Sequence, residues 1–367
     1  MTRLQQHRLE VPVLLEYIAK TFLVRFLVLL FGIAVIMQAL DVLSQSGDVL
    51  APDGAGMASI WRFTMLRFPQ MISNVVGFSA LLATLITCTT LAQSSEIAVM
   101  QAAGLSSFRI IFPMMGVCAV AAVIHFAFNE TIVAQSNDEF ERWRASGFAV
   151  GDVQLPPSKS DAWAIEGNTR VRVQSVTRDG AILDKVTLYN LDSQDKIKEI
   201  TSANFAAYTN GQWIMFDVTR FWVDQMKVQS MPRAIWDTKI PPARFKALSV
   251  DPETVPIGRL ASAVSQLRGE GMSVNKLTAW LNHKISGPLG TILMPLLGAM
   301  AAFGVQRSGT MFLRVIGGMA FGFSYFIVDN LLLAIGQFGT IPPVLAAWSP
   351  LFLFLFLGAS VLFYTEA

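Results

Sequence analysis

Charge is scarce in this sequence. Only 15% of the 367 residues are Asp, Glu, Lys or Arg, against about 25% in an ordinary soluble domain, and between Phe68 and Ser95 there is none. A wholly soluble fold is excluded. Cysteine is nearly missing: Cys88 and Cys118 are the only two, both in apolar runs. That excludes a disulfide framework and any CxxC thiol or zinc site, and leaves two small buried hydrophobes. The three histidines, His7, His125 and His283, lie far apart and suggest no shared metal site. There is no GxxxxGK[ST] phosphate loop, no HExxH and no GxSxG. ATP bound through such a loop, zincin proteolysis and hydrolase-elbow chemistry are therefore excluded, and the chain is read as no enzyme. With a net charge of +2 and no basic aromatic patch, nothing points to nucleic acid.

What charge there is sits in one place. Residues 130–284 hold 19 of the 28 Lys and Arg and 18 of the 26 Asp and Glu. Two nearly uncharged blocks flank one polar domain. In the first block, apolar runs cover about Thr21–Leu43, Phe68–Ser95 and Ile110–Phe128; in the second they cover Ile285–Val305, Phe312–Leu333 and Leu345–Tyr364. A helix needs about 20 apolar residues to cross a bilayer, so six spans are expected, three before the polar domain and three after it. The run after residue 20 is too long for a secretory signal and is read as a retained span. Arg25 near its start can snorkel to the interface. A loop containing Pro52-Asp53-Gly54 and an interfacial helix around Met57–Leu66 precede the second run, and Pro69 is placed in a first helical turn. The fifth run carries Gly317, Gly318, Ala320 and Gly322, small residues that let helices approach in lipid.

Between 160 and 240 the pattern changes from helical to alternating. In Thr169–Gln174 polar and apolar residues alternate from Arg170 on, as in a half-buried strand, and Asp179-Gly180 and Asn210-Gly211 are hairpin signals. Six to eight short strands are expected, as an antiparallel sandwich or open barrel. A polar helix over 131–150 leads in, stopped by Pro156-Pro157. Helix returns over 257–283, with Leu260, Val264 and Leu267 on one face. The expected divisions are a membrane half over 1–130, a β domain with its leading helix over 131–256, and a linking helix and second membrane half over 257–367.

Basic residues of the short segments give the orientation. With the N-terminus inside, the inner side has Arg3, Arg8, Lys20, Arg25, Arg109, Arg307 and Arg314, and the outer short loops have Arg62 and Arg67. Both termini are then cytoplasmic and the β domain lies outside.

On that assignment Ser94–Ile110, SSEIAVMQAAGLSSFRI, is a cytoplasmic stretch between two spans, too short and polar to be a third. Glu96 opens an amphipathic turn and Gly104 closes it. It either reverses the chain or serves as a handle by which a partner outside the membrane moves the spans. Charges in or near the membrane are the other leads, because they are costly there. Asp41 lies where the first span ends. Arg142 and Arg144 follow the third span and suit phosphate. Asp329 and His125 open a different reading, a proton-coupled secondary carrier of lipid or solute, although charges near span ends disfavour it.

The residues also resemble a family. Glu96-Ile97-Ala98-Val99-Met100-Gln101-Ala102-Ala103-Gly104 is similar to the coupling helix of the LptF/LptG (YjgP/YjgQ) permeases of lipopolysaccharide export, with VMQAAG closer to the LptG branch. Further matching pieces are Glu16-Tyr17-Ile18, Ala39-Leu40-Asp41, Ala92-Gln93, His283-Lys284-Ile285 with Pro288-Leu289, Phe321-Gly322-Phe323 with Asp329, and Ile341-Pro342-Pro343. The likeness covers essentially the whole chain. It implies a permease subunit in the bacterial inner membrane, paired with an LptF-like second permease. An LptB-like cytoplasmic ATPase dimer would bind ATP and Mg, so that this chain itself holds no cofactor. The β domain would be a periplasmic β-jellyroll in line with LptC- and LptA-like proteins, and lipopolysaccharide would be lifted from the outer leaflet. It further implies ATPase coupling through Glu96, Ile97, Met100, Ala103, Gly104 and Arg109. Lipid contact would fall to Asp41, Arg62, Arg67, Arg142 and Arg144. Where relatives can carry lysines, this chain has Gln38, Ser44, Gln45 and Gln70, so Arg62 and Arg67 are the expected substitutes.

Overall fold

A computed structural model describes residues 2–150, 159–177, 180–192, 194, 196–248, 251–269, 272–303 and 311–366. The chain forms two compact units. One comprises residues 1–46, 62–136 and 275–367; the other comprises 47–61 and 137–274. The segment from 257 to 274 thus clusters with the β strands.

The membrane unit is built on long helices. Helix α1 runs Thr2–Leu50 and α2 runs Met57–Gln93. The interfacial helix expected over Met57–Leu66 and the second span are therefore one helix, and Pro69 lies inside it. The amphipathic start continues straight into the apolar run, and nothing at 66–68 competes with helix strongly enough to stop it. After the short α3 (Glu96–Ala102) come α4 (Ser107–Phe128), a π turn (Asn129–Val133) and α5 (Ala134–Ala145). The second half contributes α8 (Asn275–Phe303), α9 (Met311–Gln337) and α10 (Pro343–Glu366). Among the described residues, five of these helices are long and apolar enough to cross a membrane. The fourth expected run lies on α8, whose 29 residues span about 43 Å; its end at Val305 falls outside the described residues, as does Arg307. Arg314 lies within α9 and not in a loop.

One core joins the helices. Phe22 and Phe26 of α1, Leu81 and Leu85 of α2, Ile111 and Met114 of α4, Met294 and Leu297 of α8, Tyr325 of α9 and Phe354 of α10 are all buried in it. Close approach is decisive at Gly322. A Cβ there would collide with the Leu81 side chain, whose Cγ would lie 3.0 Å away, and Leu81 is fully buried with nowhere to go. Gly322→Val is expected to destabilise the membrane unit by about 1–3 kcal/mol through overpacking, read as a lower unfolding temperature in detergent.

Among the described residues the β unit holds six strands, β1 (Lys159–Glu166), β2 (Thr169–Thr177), β3 (Ile182–Leu191), β4 (Ile197–Thr209), β5 (Gln212–Trp222) and β6 (Lys227–Trp236). Each pairs antiparallel with the next in chain order, in a single sheet. Six described strands fall within the expected range of six to eight. The Asn210-Gly211 hairpin is present, with both residues at positive φ (54° and 84°), as a two-residue primed turn requires. Of the other signal only Gly180 is described, and Pro156-Pro157 lie outside the described residues. The inner face buries Val171, Val173, Val186, Ala203, Met215 and Val218. Helix α6 (Pro242–Leu248) lays Phe245 edge-on to Trp213, with ring centroids 5.5 Å apart, and the Trp213 indole donates to the Ile240 carbonyl at 2.9 Å. Helix α7 (Ile257–Gly269) buries Leu260, Val264 and Leu267, the face read from the sequence.

Candidate functional site

Two features of the membrane unit stand out. The first is α3. Ser95 turns the chain out of α2 with a left-handed φ of 59°, and the Ser94 hydroxyl lies 2.7 Å from a Glu96 carboxylate oxygen. The helix ends in a Schellman arrangement. Leu105 N–H donates to Met100 O at 3.0 Å and Gly104 N–H to Gln101 O at 2.9 Å, with Gly104 at φ +86°. That conformation strains any residue with a Cβ, so glycine is required where the sequence has it. Ser106 then caps α4, accepting from Arg109 N–H at 3.4 Å, while Gln101 donates to Ser107 Oγ at 3.3 Å.

This short helix has two sides. Ile97 and Met100 are buried in the membrane-unit core. Ala98, Val99, Gln101, Ala102 and Ala103 are exposed, as is Arg109, and Glu96 is half-buried. The six residues singled out for coupling thus divide. Ile97 and Met100 anchor α3 to its own chain, Gly104 shapes the turn, and Glu96, Ala103 and Arg109 lie at or near the surface. Val99, 67% exposed, belongs to that surface and was missed, because seven residues make too short a period to fix which apolar side chains face inward.

The second feature is a chain of polar contacts tying the helices together. Arg67 of α2 donates through Nε to Asp41 Oδ2 of α1 at 3.0 Å, and Gln45 donates to Asp41 Oδ1 at 2.8 Å. Ser73 of α2 contacts His125 Nε2 at 2.9 Å and Asn129 Oδ1 at 2.6 Å. Glu130, the next residue, pairs with Lys284 of α8 at 3.7 Å. Beside Lys284, His283 Nε2 meets Asp329 Oδ2 of α9 at 2.9 Å, and Asn282 accepts from the Trp348 indole of α10 at 3.3 Å. Between apolar helices such contacts satisfy groups that lipid cannot. The π turn falls at Asn129–Val133, where two of these ties leave the chain side by side; π turns recur at functional positions.

The expected lipid contacts fall in both units: Asp41, Arg62 and Arg67 in one, Arg142 and Arg144 in the other. Asp41 and Arg67 meet each other. Arg142 pairs with Asp138 at 2.7 Å and Arg144 lies 3.8 Å from Glu141 on α5, and Arg62 lies in the second turn of α2. Asp329 and His125 do not share a site: each has its own partner on a neighbouring helix. Ser73, Asn129, Glu130, Asn282 and Lys284 were not singled out, and only their polarity within or beside apolar runs could have marked them.

Helices long enough to span a bilayer, with a β domain inserted midway, define a multi-pass membrane protein. The residues from 16 to 364 match the family described as "Lipopolysaccharide export system permease LptF/LptG". The chain belongs to that family, and is a multi-pass inner-membrane component of lipopolysaccharide export. It is 30% identical over 311 residues to the Haemophilus influenzae lipopolysaccharide export system permease protein LptG, covering 82% of this chain and 86% of that one. It is 26% identical over 350 residues to LptG of Escherichia coli K12, covering 92% and 94%.

Proposed function

We propose that this chain is the LptG-like half of an ATP-driven permease pair that takes lipopolysaccharide from the outer leaflet of the inner membrane. It works beside an LptF-like subunit and hands its cargo to a periplasmic bridge of β-jellyroll proteins similar to LptC and LptA. An LptB-like ATPase dimer in the cytoplasm binds ATP and Mg and supplies the work. The observation that carries this reading is α3: an exposed polar and small-residue surface, locked to the spans behind it by Ile97 and Met100, in a chain whose sequence has no phosphate loop. Force applied to Glu96, Val99 or Ala103 reaches the membrane core through those two side chains. The excess of basic residues, seven against two, supports an N-in orientation, with α3 on the ATPase side and the sheet in the periplasm.

The test is purification of the chain with its partners, followed by ATPase measurements with and without lipopolysaccharide. Stable association with an ATPase and stimulation by lipopolysaccharide are the expected results; a chain that purifies alone and transports on a pH gradient would overturn the reading. Arg142→Glu is expected to lower the stimulated rate several-fold while leaving the basal rate intact. It exchanges a cation for an anion on exposed α5, where the existing pair with Asp138 contributes at most about 0.5 kcal/mol. Unchanged stimulation removes Arg142 from the lipid path.

A further inference from the structure

The sheet turns one face to its core and the other to water. The core face is filled by its own side chains and by Phe245 of α6. On the open face, strand register sets one row from β1 to β6: Trp163, Arg172, Thr187, Ser202, Thr219 and Ser230. The row beside it carries Arg170 opposite Tyr189. Trp163 is 49% exposed, and Arg172, Ser202, Thr219 and Ser230 are exposed with it. An indole half in water forgoes burial energy that a core position would supply. Its ring stacks on Tyr189 across β2, centroids 6.0 Å apart and 14° from parallel. The Arg172 guanidinium lies over the indole at 5.8 Å. Arg170, two residues earlier on the same strand, pairs with no carboxylate among the described residues. Neither row contains a described carboxylate. Asp217, in the bulge row alongside, is on β5 and accepts from Asn204 at 3.3 Å. The rest of the first row is hydroxyl, with Thr219 and Ser230 Oγ atoms 3.4 Å apart.

We propose that this open face, from β1 to β4, binds an acidic saccharide, and that the saccharide is the sugar part of the exported lipopolysaccharide. The second half of the proposal rests on the export reading above. Each part of a charged sugar finds a matching group. A pyranose ring has a face of C–H bonds with slight positive charge, which suits the negative face of an aromatic ring. Its carboxylate or phosphate suits the planar fork of Arg172 or Arg170. Its hydroxyl groups meet Thr187 and Ser202, which both donate and accept. A neutral sugar would leave the two cations unused. An apolar protein partner would meet hydroxyls and guanidinium groups where it needs side chains to pack against. The platform is flat and open, so binding is weak and reversible, as suits a cargo that must move on.

The experiment uses the full complex in nanodiscs and saturation-transfer difference NMR, which detects weak ligands on a large particle. The probe is trigalacturonate, a short chain of carboxylated pyranoses. Maltotriose serves as the neutral sugar and hexaglutamate as the acidic peptide. Saturation of the aromatic protons is expected to pass to the ring C–H groups of trigalacturonate and much less to the other two. Trp163→Leu keeps an apolar cover on the sheet and should weaken the probe about tenfold. Arg172→Gln should do the same, and it carries the test should Trp163→Leu not accumulate. The saccharide of lipopolysaccharide, freed of its lipid, should displace the probe. Transfer that survives in both variants overturns the site. Maltotriose binding as well as the probe removes the arginines from it, and hexaglutamate binding as well assigns the face to an acidic protein; either overturns the proposal. No displacement by the freed saccharide overturns the assignment to the cargo. The same preparation is assayed for stimulation of ATPase by intact lipopolysaccharide. Stimulation without transfer to the probe overturns the site and leaves the export reading standing; no stimulation overturns the export reading, and the cargo half of the proposal falls with it.

Discussion

Replacing Glu96 with lysine should strip the ATPase from the purified complex while leaving the permease folded. Glu96 is half-buried on the open side of α3, and its carboxylate accepts from the Ser94 hydroxyl two residues away, a local contact whose loss the fold survives. If the carboxylate meets a basic groove on the ATPase, reversal both removes the pair and sets like charges together. Truncating a desolvated interfacial pair costs about 2–5 kcal/mol, roughly 30-fold or more in affinity. Val99→Asp should act in the same direction, since Val99 is exposed. Met100→Asp should behave differently. Met100 is 5% exposed in the membrane core, and a carboxylate there has no partner to offset its desolvation, so the protein should fail to accumulate. Gel filtration of the complex and of the chain alone separates the two outcomes. Glu96→Lys that keeps full ATPase stoichiometry, or Met100→Asp that folds normally, would remove the assignment of the two faces of α3.

Much of the architecture was legible because each signal is local. Uninterrupted apolar runs mark spans, Asn210-Gly211 marks a hairpin, and Gly104 marks a helix stop, each through backbone or transfer energetics confined to a few residues. The sheet's interior was only partly so. Inward-facing residues alternate as far as Val171 and Val173, but on β3 they jump from Leu183 to Val186, on β4 from Ala203 to Ala206 and on β5 from Met215 to Val218. The row between contains Lys185 and Asp217 at φ 48° and 52°, with Asn204 donating to Asp217 at 3.3 Å. The faces therefore switch together in the middle of three strands, and a strict period of two loses the phase there. The polar ties between helices were less legible still. Ser73 and Asn129 are 56 positions apart, His283 and Asp329 46, and no spacing rule selects such partners. That is why Asp41 and Arg67, each identified as a separate lipid contact, were not recognised as a pair.

The same ties predict the largest loss of stability from a single polar change. Glu130 lies in the π turn and Lys284 in α8, with side chains 15% and 12% exposed and 3.7 Å apart. Glu130→Ala deprives the lysine of its carboxylate at a place where water is scarce. Removing one partner of a pair this little exposed is expected to cost about 3 kcal/mol, the low end of the range for buried pairs, because each side chain keeps further contacts. Lys284→Met does the converse to Glu130 and should cost a similar amount. The double variant Glu130→Gln/Lys284→Met removes both charges and keeps the volume, so it should recover most of the loss; replacing a buried pair by well-packed neutral groups is often close to neutral. Thermal unfolding of the three variants in one detergent gives the cycle, and strict additivity of the single losses would show that the two side chains act independently. The ATPase assay then gives a second reading. If the pair does no more than hold α8 to the end of α4, the double variant should respond to lipopolysaccharide as the native complex does. Normal stability with lost stimulation would instead make the charges themselves part of the route from lipid to ATPase, joined through Asn129, His125 and Ser73 to the helix that carries Arg67.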